Sequence, residues 1–110
     1  MTITSKWLAD RQWGIFIAQR FDFHCQAEFV AAYTLPDTED FRLQAVDLVK
    51  DYLVDFSATH YIDSSALALL LLLREYAQQR QRQVVLKIGQ GEVEKMLKIS
   101  KFPQLFTIIP

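Results

Sequence analysis

Hydrophobic and polar positions change period several times along this chain, and each change predicts an element. In WGIFIA, Ile15 and Ile17 alternate with Phe16 and Ala18, the period of a strand. The preceding TITSKWLA and the polar DRQ make it the second arm of a β-hairpin. After Asp22 the period lengthens. FHCQAEFVAAYTL sets Phe23, Ala27, Val30 and Ala31 at helical spacing, and Pro36 forbids much continuation. The stretch PDTEDFRLQAVDLVKD admits two readings. Phe41, Ala45, Leu48, Val49 and Tyr52 fit a helical stripe, whereas its Val-rich end suits a strand. YLVDFS, β-branched and aromatic in the middle, reads as a short buried strand.

A leucine-rich helix to about Gln79 follows HYIDSS. Asp63 or Ser64 is its expected cap, because a side-chain oxygen there satisfies an orphan backbone donor. Ala66, Leu69, Leu70, Leu73 and Ala77 form one apolar face, suited to a sheet. From Ala66 to Leu73, however, the helix is apolar all round, which normally means cover on more than one side. Counting from Ser64 gives a second strip, Leu67, Ala68 and Leu71. Either segment 37–51 folds over that strip, or it is an exposed interaction surface, for another protein or for a second copy of the chain. QVVLKIG is a further strand. GEVEKMLKIS is a helix with Val93, Met96 and Leu97 on one face and Glu94 and Lys98 four apart in the favourable order. QLFTII closes the chain as a last strand. Strands alternating with helices imply an α/β domain, a mixed but mostly parallel sheet with helices packed on it.

Composition narrows the function classes. With 110 residues, 51% of them hydrophobic, the chain is expected to form one domain, residues 1–110, with a core of its own. A formal charge of −1 gives no basic field, so nucleic acid is not an expected partner. MTITSKWLAD lacks the basic start and apolar centre of a signal peptide. The run Ala66–Leu73 falls well short of the ~20 residues that span a bilayer. The single cysteine, Cys25, fits a reducing compartment, and the expectation is a cytoplasmic domain without membrane insertion.

The two serines invite a second reading. A phosphate on Ser64 would add about −1.5 to −2 charges at the edge of an apolar surface, and a helix N-terminus tolerates such an anion. A partner packed on Leu67 and Leu71 would then be repelled.

The stretch VDFSATHYIDSSALALLLLL resembles the strand, loop and helix of STAS domains, and among them the bacterial anti-sigma factor antagonists. The likeness extends backwards to FDFHCQAEFVAAY and forwards through VVLKIGQGEVEKMLKISKFPQLFTI, leaving out only 36–50. It implies that Ser64, the first serine after the aspartate, is the phosphorylated residue. It also implies that the unphosphorylated form binds an anti-sigma factor, itself often a serine kinase, and that a PP2C-type phosphatase resets the switch. Asp22 becomes a candidate contact beside Asp63, Ser64, Ser65, Leu67, Ala68 and Leu71. The chain departs from the family at Ala66 and Ala68, where glycine is frequent, at Gln19 in the turn before Asp22, and at SKF, where Gly-Leu is usual. The alternative within the family is an unphosphorylated subunit bracing the ATPase of an ABC lipid-transport complex.

Other chemistries fit less well. A Ser-His-Asp hydrolase would draw on Ser64 or Ser65, His60 and Asp63, but neighbours in sequence rarely have triad geometry and the Gly-x-Ser-x-Gly elbow is missing. His24, Cys25 and His60 match no metal-site spacing, and Cys25 reads as a small buried hydrophobe. GQGEVEKM lacks the Lys and Ser/Thr of a P-loop. Arg74, Arg80 and Arg82 read as a solvated helix end. The expectation is a binding protein, not an enzyme, with no cofactor.

Overall fold

The computed structural model describes residues 2–9, 11–38 and 49–110. The hairpin is present: β1 (Ile3–Ala9) runs antiparallel to β2 (Gln12–Ile17), with Ile3 opposite Ile17 and Trp7 opposite Trp13. Gln19–Phe21 forms a short β3. A 3-10 turn over Phe23–Cys25 leads into α1 (Gln26–Thr34), and a second turn, Leu35–Asp37, ends that unit. Then come β4 (Asp51–Asp55), β5 (Thr59–Ile62), α2 (Ser64–Gln79), β6 (Gln83–Lys87), α3 (Glu92–Ile99) and β7 (Thr107–Ile109). The main sheet has the order β1-β2-β4-β6-β7, with every pair after the hairpin parallel. β3 and β5 form a separate parallel ribbon. The fold is the mixed, mostly parallel α/β arrangement that the alternation implies.

Strand alternation decides which sheet face is dry. Trp13, Ile15 and Ile17 of β2, Tyr52 and Val54 of β4, and Val84 and Leu86 of β6 are buried together beneath the helices. Two of these aromatics carry a polar end and both satisfy it on α1. The Trp13 indole donates to the Ala32 carbonyl and the Tyr52 hydroxyl to the Tyr33 carbonyl, each at 2.9 Å. Those bonds fix the helix over the sheet as well as sparing the core an unpaired donor.

α1 buries Phe29, Ala32 and Tyr33, not the face through Phe23, Ala27 and Ala31, which are exposed. The α-helix begins only at Gln26. Ala27 and Ala31 do share one face of α1, but the sheet takes the opposite one, which carries the bulky Phe29 and Tyr33. The predicted face of α2 (Ala66, Leu69, Leu70, Leu73 and Ala77) is buried as read. In α3 Val93 and Leu97 are buried and Met96 is half-buried. Gly89 and Gly91 ahead of α3 have φ of +63° and +111°, backbone that favours glycine. QLFTII is strand only over its last three positions, because Phe102–Gln104 forms a 3-10 turn. The stripe residues Phe41, Ala45 and Leu48 lie outside the described residues, whereas Val49 is buried and Tyr52 stands in β4.

A buried ion-pair cluster corrects the reading of the basic residues. Arg82 is 8% exposed. Its guanidinium grips Asp37 with two hydrogen bonds of 2.7 Å and donates a third, also 2.7 Å, to the Tyr52 hydroxyl. Tyr76 also donates to Asp37, and Arg80 stacks on the Tyr76 ring at 3.6 Å from its centroid. Arg74 reaches the Leu105 carbonyl. Burial by itself would raise the Asp37 pKa; the Arg82 and Tyr76 hydrogen bonds and the nearby guanidinium charges hold it below the ordinary 3.8. Burial, with the Asp37 bond, pushes Tyr76 up to about 12.

Candidate functional site

The site is built where the small ribbon ends. In the β3–β5 ribbon the last paired residues are Phe21 and Ile62, so Asp22 and Asp63 leave the two parallel strands side by side. Each is in extended conformation, with φ of −141° and −125°, and each caps the helical turn that follows it. Asp22 accepts from the His24 N–H at 3.0 Å, and the Arg20 Nε lies 3.1 Å from its other oxygen. Arg20 also lies over the ring of Tyr61, its partner in the ribbon, at 4.6 Å. Burial opposes ionisation of Asp22, but the bonds from Arg20 and His24 and their charges bring its pKa below the ordinary value.

Asp63 is the cap of α2. One carboxylate oxygen accepts from the Ala66 N–H at 3.0 Å and from the Ser65 hydroxyl at 2.7 Å. The two serines are therefore not equivalent. Ser65 is half-buried with its hydroxyl committed to Asp63. Ser64, the first residue of α2, is exposed, and its hydroxyl bonds to nothing among the described residues. Asp63→Ala is expected to lower stability by about 1 kcal/mol and to free the Ser65 hydroxyl. Thermal unfolding would show it, and an unchanged Tm would mean the cap contributes nothing.

The strip leading away from Ser64 is rotated from the predicted one. Leu67 is buried at 8%, whereas Ala68, Leu71 and Leu72 are exposed, the two leucines at 41% and 43%. α1 and the Phe23–Cys25 turn pack along α2 in addition to the sheet, so the helix buries a wider arc than one sheet-facing stripe. Phe23, on that turn, is 62% exposed. Phe23 and Leu72 were missed by sequence spacing. An exposed aromatic next to a helix N-terminus carries no periodic signal, and six leucines within α2 hide which ones face out. The site therefore combines two carboxylate caps and one unengaged hydroxyl with exposed apolar side chains on α2 (Ala68, Leu71 and Leu72) and on the adjoining turn (Phe23).

Asp63 is occupied as a cap and holds no imidazole, so a Ser-His-Asp relay is not assembled here. Cys25 is buried, with its thiol 3.5 Å from the Arg20 carbonyl. Among the described residues no group of three His, Cys, Asp or Glu side chains could hold a metal ion, and no helix is long and apolar enough to cross a membrane.

The STAS domain family model matches residues 5–110. This chain belongs to the STAS family. A STAS-domain containing protein of Pseudomonas aeruginosa (strain UCBPP-PA14) is 39% identical over 109 residues, covering 98% of this chain and 99% of the relative. Among solved structures, the anti-sigma factor antagonist SpoIIAA in its unphosphorylated form superposes with a TM-score of 0.71 at 14% identity, over 98% of this chain and 87% of its own. The phosphorylated form, described as a Bacillus cell fate determinant, gives 0.64 at 13% identity, over 98% and 91%. The shared fold is that of the anti-sigma factor antagonists. At Gln19 and Lys101 the backbone of this STAS chain is left-handed, with φ of +68° and +60°. Side chains other than glycine adopt that region at some strain.

Proposed function

We propose that this STAS domain is a phosphorylation-switched binding protein of the anti-sigma factor antagonist type. It binds an anti-sigma factor or serine kinase in the cytoplasm while Ser64 is unmodified, and a PP2C-type phosphatase restores that form. The observation that carries the reading is the difference between the serines: Ser64 is exposed and unengaged at the start of α2, whereas Ser65 is tied to Asp63. SpoIIAA, which has the same fold, is known in unphosphorylated and phosphorylated forms.

The switch is local electrostatics. A phosphate on Ser64 meets the open N–H groups and positive dipole end of α2, so the domain tolerates it. The same phosphate adds about two negative charges beside Asp63 and Asp22 and at the margin of Ala68 and Leu71. A partner that desolvates this margin loses its contact. The reaction is the kinase's; this chain supplies the acceptor hydroxyl and the docking surface, and no catalytic group.

Phosphopeptide mapping of the protein from growing and starved cells is expected to place the phosphate on Ser64, with occupancy that changes between conditions. Ser64→Ala should abolish modification and keep partner capture, whereas Ser64→Asp should weaken capture at least tenfold. Equal capture by both variants, or a Ser64 unmodified in every condition, would overturn the switch.

A further inference from the structure

We propose that the face of the main sheet opposite the described helices is a self-complementary surface on which two copies of this chain pair about a two-fold axis parallel to the strands. The helices occupy the face that carries Trp13, Tyr52 and Leu86. Alternation sends Phe16, Leu53, Asp55, Val85 and Lys87 to the other face, where all of them are half-buried. Among the described residues no helix lies over them; from β1, Lys6 lies over the Phe16 ring at 5.3 Å and Leu8 packs at Gly14.

The register of this face holds the argument. From β2 onwards one row crosses β4, β6 and β7 as Phe16, Asp55, Lys87 and Ile109, with Thr4 of β1 at the outer edge beyond Phe16. It reads apolar, acid, base, apolar. Turned about an axis midway between β4 and β6, the same row reads apolar, base, acid, apolar, so Asp55 of each copy faces Lys87 of the other and Phe16 faces Ile109. The next row inward places Leu53 opposite the second copy's Val85, and Gly14 leaves room there that the Leu8 side chain fills. Asp55 and Lys87 are neighbours in register yet form no ion pair with each other among the described residues. Among the described residues Asp55 accepts only the Ser57 N–H, at 2.8 Å. A two-fold contact gives both charges a partner, which is the self-matching an isologous interface requires. Two sheets meeting with parallel strand directions correspond to the aligned packing seen in sandwiches.

Magnitude sets the expected strength. Four strands about 4.8 Å apart, with about five residues each of about 3.3 Å rise, give on the order of 300 Å² of face per copy. That is below the roughly 800 Å² per partner of a stable interface, so the pairing is weak and concentration-dependent. The face lies on the opposite side of the sheet from α2, and pairing leaves Ser64 open.

Sedimentation equilibrium of the full chain from ~1 μM to ~1 mM, a range that brackets weak association, should show mass rising towards that of a dimer. Asp55→Lys and Lys87→Asp should each weaken association at least about tenfold by setting like charges opposite one another. The double swap Asp55→Lys with Lys87→Asp keeps the row self-matching in reversed polarity and should return to within about threefold of the parent. Because Asp55 and Lys87 also neighbour each other within one copy, the separating test is a mixture of the two single variants: Asp55→Lys (two bases) and Lys87→Asp (two acids) should pair with each other though neither pairs with itself, which a lost fold would not allow. A parent monomeric at every concentration, single swaps without effect, or a double swap that fails to recover would each overturn the proposal.

Discussion

Arg82→Ala is expected to lower the free energy of unfolding by about 3 kcal/mol or more, the range for removing one partner of a buried ion pair. Arg82 places two hydrogen bonds on Asp37 and one on the Tyr52 hydroxyl. Without it, Asp37 keeps Tyr76 and a distant Arg80, at 3.8 Å, in a site from which water is largely excluded. The Asp37 side chain is 17% exposed, and the water that reaches it keeps the expected loss near the lower end of that range. Arg82→Lys should recover only part, because an ammonium cannot reproduce the planar two-pronged grip. Urea unfolding at pH 7 measures the effect. A loss under about 1 kcal/mol would place the pair with ordinary surface bridges.

Acid supplies an independent check on the same cluster. The folded-state pKa of Asp37 is below its ordinary 3.8. The pair's contribution is therefore complete above about pH 4 and is lost as pH falls through the lower, folded value. The parent should lose more stability than Arg82→Ala over that acid window, and the two curves should converge. Parallel curves would show that Asp37 ionisation is not what the cluster stabilises.

The same residue shows where sequence reasoning ends. β4, β6, α2 and α3 were legible because each buries residues at one constant period: Tyr52 and Val54, Val84 and Leu86, Leu69 and Leu73, Val93 and Leu97. From sequence Arg82 reads as solvated because its partner, Asp37, is 45 residues away, and nothing local marks a long-range pair. β5 was invisible since Thr59–Ile62 exposes two of its four residues and is held by pairing with β3. In the site, the cap at Asp63 and the candidate hydroxyl at Ser64 could be read from local chemistry. The meeting of Asp22 with Asp63 required the ribbon register, which no stretch of the chain announces by itself.

The second large effect concerns the surface around Ser64. Phe23→Asp and Leu72→Asp are each expected to weaken binding of the partner captured by the parent chain about 100-fold, or about 2.7 kcal/mol. The same variants should change folding stability by less than about 0.5 kcal/mol. Both side chains are already largely in water, 62% and 43% exposed, so a carboxylate there disturbs little in the free domain. In the complex it would lie in a desolvated contact without a counter-charge. The two positions separate this surface from the strip first drawn through Leu67. Leu67→Asp should unfold the domain, whereas Leu72→Asp should leave it folded and unable to bind. Ser64→Asp placed in the Leu72→Asp background tests whether phosphate and patch act on one contact. If they do, the second charge adds far less than it does alone. If capture survives both Phe23→Asp and Leu72→Asp yet still falls with Ser64→Asp, the partner reads the charge on Ser64 without resting on these side chains, and the docking surface lies elsewhere on the domain.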